Sequence, residues 1–102
     1  MMTKEAFFDS LKKERAAIKC ENPDQWRVVY DEVIGKYPDW ENNDIFDYNP
    51  HYPYFVKWAD RVTGYNGTTN EHPERLTFTE FVMIINETEE YEDDIEEMGD
   101  LL

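Results

Sequence analysis

The chain has 102 residues, 24 Asp and Glu against 10 Lys and Arg, and a formal net charge of −14. A chain of this length fills one compact domain and cannot supply two independent cores, and its 40% hydrophobic content is enough to fold one. So negative a surface repels nucleic acid and anionic lipid, and it attracts cationic protein surfaces and speeds their association.

Thr3 is placed to cap a first helix, which the spacing of Phe7, Phe8, Leu11, Arg15 and Ile18 predicts to run to about Lys19. Lys4, Lys12, Lys13, Arg15 and Lys19 put half of all basic residues in this element. The charge is thus segregated along the chain, either as an ordinary solvated face or as a counterpart to the acidic segments. Asn22, Pro23 and Gln25 form a capping signature for a second helix. Trp26, Val29, Tyr30, Val33, Ile34 and Tyr37 follow at helical spacing as a core stripe; Gly35 loosens the last turn and Pro38 stops it.

Between Pro38 and Pro53 lies DWENNDIFDYNPHY, a turn-rich segment. The eight aromatics from Tyr37 to Trp58 interleave with Asp39, Glu41, Asp44 and Asp47, so this loop either roofs the core or presents rings and carboxylates to a partner. A third helix is predicted from near Pro53 to Thr63, burying Phe55, Trp58 or Ala59, and Val62 before Gly64 ends it. After a loop from Gly64 to Arg75, Thr77 and Glu80 make a second capping box for a helix with Phe78, Phe81, Val82 and Ile85 on its core side. Glu87 to Asp100 then carries nine carboxylates and no Lys or Arg, with Tyr91, Ile95, Met98 and Leu102 as a thin apolar line. Its like charges repel at helical spacing and oppose the helix dipole, a penalty that a cationic partner removes. The expected fold is mainly α. It is a compact bundle of four to five helices over residues 1–86, with an aromatic-rich loop and an acidic C-terminal helix or tail over 87–102.

The stretch Leu76-Thr77-Phe78-Thr79-Glu80-Phe81 resembles the end of an EF-hand loop and its exiting helix. Counting back from Glu80, however, places Thr69 at the first ligand position, Pro73 at the fifth and Glu74 where the turn glycine belongs. A second window from Asp39 has Asp44 at the glycine position and Pro50 at the twelfth. No specific metal and no cofactor are expected. Cys20, His51 and His72 come without a nucleophile elbow, a phosphate loop or zinc-ligand spacing, so no catalytic residue is assigned and no enzyme is expected. A single cysteine forms no internal bridge, the N-terminal MMTKEAFFDSLKKER lacks the apolar run of a signal peptide, and no window approaches the roughly 18 apolar residues of a membrane span. These features predict a cytoplasmic protein without membrane attachment.

In size, charge and aromatic content, the whole chain resembles the small acidic inhibitors that bacteriophages and mobile elements encode against restriction, CRISPR and related nucleases. Several of these mimic DNA. The resemblance rests on composition and not on a shared motif. It implies a non-enzymatic protein that binds no nucleic acid itself and occupies the basic surface of a nucleic-acid-binding or host-defence protein. The expected contact residues are Asp39, Trp40, Glu41, Asp44 and Asp47 in the loop, with Glu89, Glu90, Glu92, Asp93, Asp94, Glu96 and Glu97 beyond it. Two alternatives stand beside this reading: a structural or adaptor protein forming a homodimer or larger assembly through its aromatic surface, and a degenerate EF-hand-like calcium module.

Overall fold

A computed structural model describes residues 2–45 and 47–86. The elements run α1 (Lys4–Lys12), β1 (Ala16–Lys19), α2 (Pro23–Lys36), two short 3-10 turns (Pro38–Trp40 and Asn43–Ile45), β2 (Tyr54–Trp58), β3 (Arg61–Tyr65) and β4 (Glu74–Thr77). Residues 78–86 form a further helix, α3. Among the described residues the four strands make one sheet in the order β3-β2-β1-β4, with β1 antiparallel to β2 and parallel to β4. The fold is therefore mixed α/β, which corrects the all-α bundle of four to five helices expected from the sequence. The acidic helix or tail expected over 87–102 lies outside the described residues.

Two segments carry that correction. The first helix is capped as expected, Thr3 Oγ1 accepting from the Ala6 N–H at 3.1 Å, but it stops at Lys12. Glu14 then takes a left-handed conformation, φ 63°, and the Arg15 N–H returns to the Ser10 carbonyl at 2.9 Å. Ala16, Ala17 and Ile18 leave as a fully buried strand. The predicted helix over 53–63 is instead the β2–β3 hairpin, paired from Tyr54↔Tyr65 to Trp58↔Arg61 around a two-residue turn of Ala59 and Asp60. Phe55 and Val62 do reach the core, but from neighbouring strands rather than from one helix face. Ala59 also has a positive φ, 58°. Glu14 Oε2 accepts from its N–H at 3.2 Å and lies 3.4 Å from the Lys57 Nζ, so the two left-handed residues hold each other.

The capping signatures behave as read. Asn22 Oδ1 accepts from the Gln25 N–H at 2.9 Å, while Gln25 Oε1 accepts from Glu21, one residue upstream of the usual partner. Thr77 and Glu80 close a reciprocal box at 3.1 and 2.9 Å. Among the described residues, the three α-helices cover one face of the sheet. Phe7, Leu11, Ile18, Trp26, Val33, Phe55, Phe81 and Ile84 are buried there, with edge-to-face contacts at 5.5 Å for Phe7–Phe81 and 5.2 Å for Trp26–Phe55.

The other face carries a smaller cluster of Ala17, Val56 and Tyr65, roofed by the chain between β3 and β4. Gly67 (φ +84°) lies so close to Tyr54 that a Cβ would meet the ring at 2.6 Å. His72 is buried with its ring 4.8 Å from that of Tyr65.

Glu74 joins the first helix to the last strand. Its carboxylate accepts from the Ser10 hydroxyl and from Arg15 Nε at 2.8 Å, and its backbone N–H bonds the Arg15 carbonyl at 2.9 Å. The Ser10 hydrogen bond, then the Arg15 contact, hold the carboxyl below its ordinary pKa of 4.5, against a smaller opposing effect of burial. A lowered folded-state pKa gives stability that is complete above the unfolded value and lost as pH falls through the folded one. Glu74→Gln is expected to destabilise by about 1 kcal/mol near neutral pH, after discounting for partial exposure, and to cost less in acid. Urea unfolding at about pH 7 and about pH 2 reads this directly; an undiminished difference at the lower pH would refute the assignment.

Candidate binding site in the aromatic loop

The loop between α2 and β2 is held in place by side chains that bond its backbone. Asn42 is the main pin: its Nδ2 donates to the Val62 carbonyl at 2.9 Å, its Oδ1 accepts from the Asp44 N–H at 3.1 Å, and its own N–H meets the Tyr30 hydroxyl at 3.3 Å. Trp26 Nε1 donates to the Ile45 carbonyl at 2.7 Å. Tyr48 reaches back to donate to the Cys20 carbonyl at 3.0 Å, and burial together with nearby Cys20 and Glu21 raises its pKa, keeping that proton on. Asn49 Oδ1 accepts from His51 and closes the last turn. Gly64 lets the loop come down on β3, because a Cβ there would meet Tyr52 Cβ at 3.0 Å.

The result is a cavity of about 470 Å³, within the size range of ligand sites. Buried Trp26 and half-buried Ile45, Tyr48, Thr63 and Gly64 line it, together with exposed Asp44, Asp47, Asn49, Pro50 and Tyr52. The segment so roofs the core and presents rings and carboxylates at the same time.

The residues expected to bind a partner divide. Asp39, Glu41, Asp44 and Asp47 are all exposed, and none is in an ion pair among the described residues. Asp44 and Asp47 line the cavity, whereas Asp39 and Glu41 do not. Trp40 is half-buried, stacked on Tyr37 at 4.1 Å and 19°, with Lys57 Nζ 5.4 Å from its ring, so it braces the loop. Glu89, Glu90, Glu92, Asp93, Asp94, Glu96 and Glu97 lie outside the described residues. Sequence reasoning passed over Trp26 and Gly64 as parts of this site. Trp26 belongs to the core stripe as read, and Gly64 looked like a helix stop; a glycine facing an aromatic loop was the available signal.

The other candidate chemistry is engaged elsewhere. Cys20 is buried, and desolvation, with a contribution from Glu21, pushes its thiol up to about 12, so it stays protonated at neutral pH and supplies no thiolate. Glu80 Oε1 caps its own helix, and Glu74 is held by Ser10 and Arg15. Among the described residues, no group of three or more His, Cys, Asp or Glu is arranged to hold a metal ion, and no helix is long and apolar enough to cross a membrane.

Asn42→Ala removes the pin and leaves the Val62 carbonyl and the Asp44 N–H without their partner. It is expected to cost about 1–2 kcal/mol and to speed hydrogen exchange at residues 43–45 and 47–49 while the α2 amides keep their protection. Exchange that quickens equally throughout would show that Asn42 supports the whole fold rather than the loop.

No family model matches the chain, and no curated protein or solved structure matches it either, so the reading of this site rests on its own residues.

Proposed function

We propose that this is a non-enzymatic acidic binding protein that occupies a basic surface of a nucleic-acid-binding or host-defence protein, in the cytoplasm, and so competes with nucleic acid for that surface. The way the charges are used carries this reading. Lys13, Arg15, Arg27, Lys57 and Arg61 are each within 4.0 Å of a carboxylate, while Lys12 and Lys36 lie over Tyr37 and Arg75 over Tyr54. Most of the cations are engaged within the fold. Residues 1–86 hold 15 acids and all ten bases, an excess of five negative charges, and the loop supplies four carboxylates within nine residues that are in no ion pair among the described residues. The other nine acids follow in 87–100.

Such a surface steers a cationic partner over distances of about a Debye length, roughly 10 Å at 0.1 M salt, and loses grip as salt rises. Competition needs no chemistry beyond that. The partner's Lys and Arg side chains contact carboxylates where they would contact phosphates, and the attraction weakens as salt screens it.

Proteins captured by the tagged chain and released at moderate salt are expected to be displaced by a short DNA duplex. Neutralising Asp39, Glu41, Asp44 and Asp47 together should weaken capture at least about tenfold at low salt, with a shallower salt dependence. Capture that survives high salt and DNA, but fails on Trp58→Ala, would overturn this reading. It would favour an assembly protein instead, for which the half-exposed Trp58 and Tyr52 are the supporting feature.

A further inference from the structure

Resting on that reading, we infer that the loop cavity is an arginine pocket: it takes the guanidinium of one arginine side chain from the basic partner and so anchors the otherwise diffuse electrostatic contact. The argument begins with what the lining offers. The Trp26 indole N–H is committed to the Ile45 carbonyl and the Tyr48 hydroxyl proton to the Cys20 carbonyl. The backbone donors of Asp44, His51 and Tyr52 are likewise taken, by Asn42 Oδ1, Asn49 Oδ1 and the Asn49 carbonyl. What the cavity presents is the rings of Tyr48 and Tyr52, the Asp44 and Asp47 carboxylates, and the Asn49 amide with the Thr63 and Tyr52 hydroxyls, which both donate and accept, while the Trp26 ring is nearly all buried behind them.

A ligand that donates hydrogen bonds, is positively charged and has a flat apolar face matches the two carboxylates and the rings, and the hydroxyls and the Asn49 carbonyl group can accept from it as well. Guanidinium is that ligand. It is planar, always charged and weakly hydrated, it stacks on rings, and it presents a donor fork to a carboxylate. A lysine ammonium is compact and strongly hydrated, and would leave most of the ring surface uncovered. Asp44 and Asp47 meet no cation from the described residues, so the charge they would contribute is not already neutralised. A phosphate or carboxylate ligand is disfavoured by the same two groups.

The test is NMR titration of the ¹⁵N-labelled full chain with three capped tripeptides, Gly-Arg-Gly, Gly-Lys-Gly and Gly-citrulline-Gly, and separately with a lysine decamer. The arginine peptide should give saturable shifts concentrated at the Trp26 indole N–H, Thr63 and Gly64, with affinity at least about fivefold above the lysine peptide and none for citrulline. Asp44→Asn/Asp47→Asn should abolish the saturation. Tyr52→Ala, which removes an exposed ring, should weaken it about threefold without unfolding the protein. Equal, scattered shifts with the arginine and lysine peptides would overturn the pocket. If the lysine decamer then still bound in a salt-dependent way, the acidic-surface reading would stand without it. Failure of every probe would remove both, whereas localised arginine binding without decamer binding would keep the pocket and remove the broader reading.

Discussion

The sheet depends on the four residues of β1. This strand bonds β2 along one edge and β4 along the other, so it joins the β2–β3 hairpin to the segment that launches α3. Its side chains are divided between two clusters, Ala16 and Ile18 beneath the helices and Ala17 on the opposite side with Val56 and Tyr65. Small residues at 16 and 17 let the covering layers come close on both faces. With so few residues, the strand has little pairing energy of its own, and the bonds flanking it fix its register: Arg15 to Glu74 at one end and the Cys20 N–H to the Pro53 carbonyl at the other.

The segment 16–19 also shows where sequence reasoning ran out. Ala-Ala-Ile-Lys has good helix propensity and continues the apolar spacing of α1, so local information favours a longer helix. What ends the helix is a left-handed Glu14, a conformation for which glycine is the expected residue, and what makes 16–19 a strand is pairing with segments far along the chain. The hairpin was hidden for the same reason. Ala59 occupies a positive-φ turn position where glycine or asparagine would have announced the turn, and Phe55 and Val62, seven residues apart, satisfy a helical repeat as well as two adjacent strands. The capping boxes at Asn22 and Thr77 were legible because each is a purely local arrangement.

The site was legible in part, and the division follows the same line. Its charges and rings could be read from the loop's composition, since exposed acids in a turn-rich segment stay exposed in almost any fold. The cavity could not. It requires Trp26 from α2 and Gly64 from β3 to meet the loop, and those meetings are long-range. Trp40 illustrates the limit: it shares the loop's composition, yet stacking on Tyr37 gives it a bracing role that spacing alone does not reveal.

The parallel pairing of β1 with β4 also has a consequence for how the chain is made. Arg15 and Glu74 are 59 positions apart, and closing so long a loop must precede any reward from the contacts it forms. During synthesis β1 gains β2 as soon as the hairpin emerges, but its second edge stays open until residue 77 has left the ribosome. For that interval an apolar strand with a bare edge is free to pair with other chains. The nine carboxylates of 87–100 are encoded after β4 and α3, so their mutual repulsion cannot protect the nascent chain during the interval before β4 emerges.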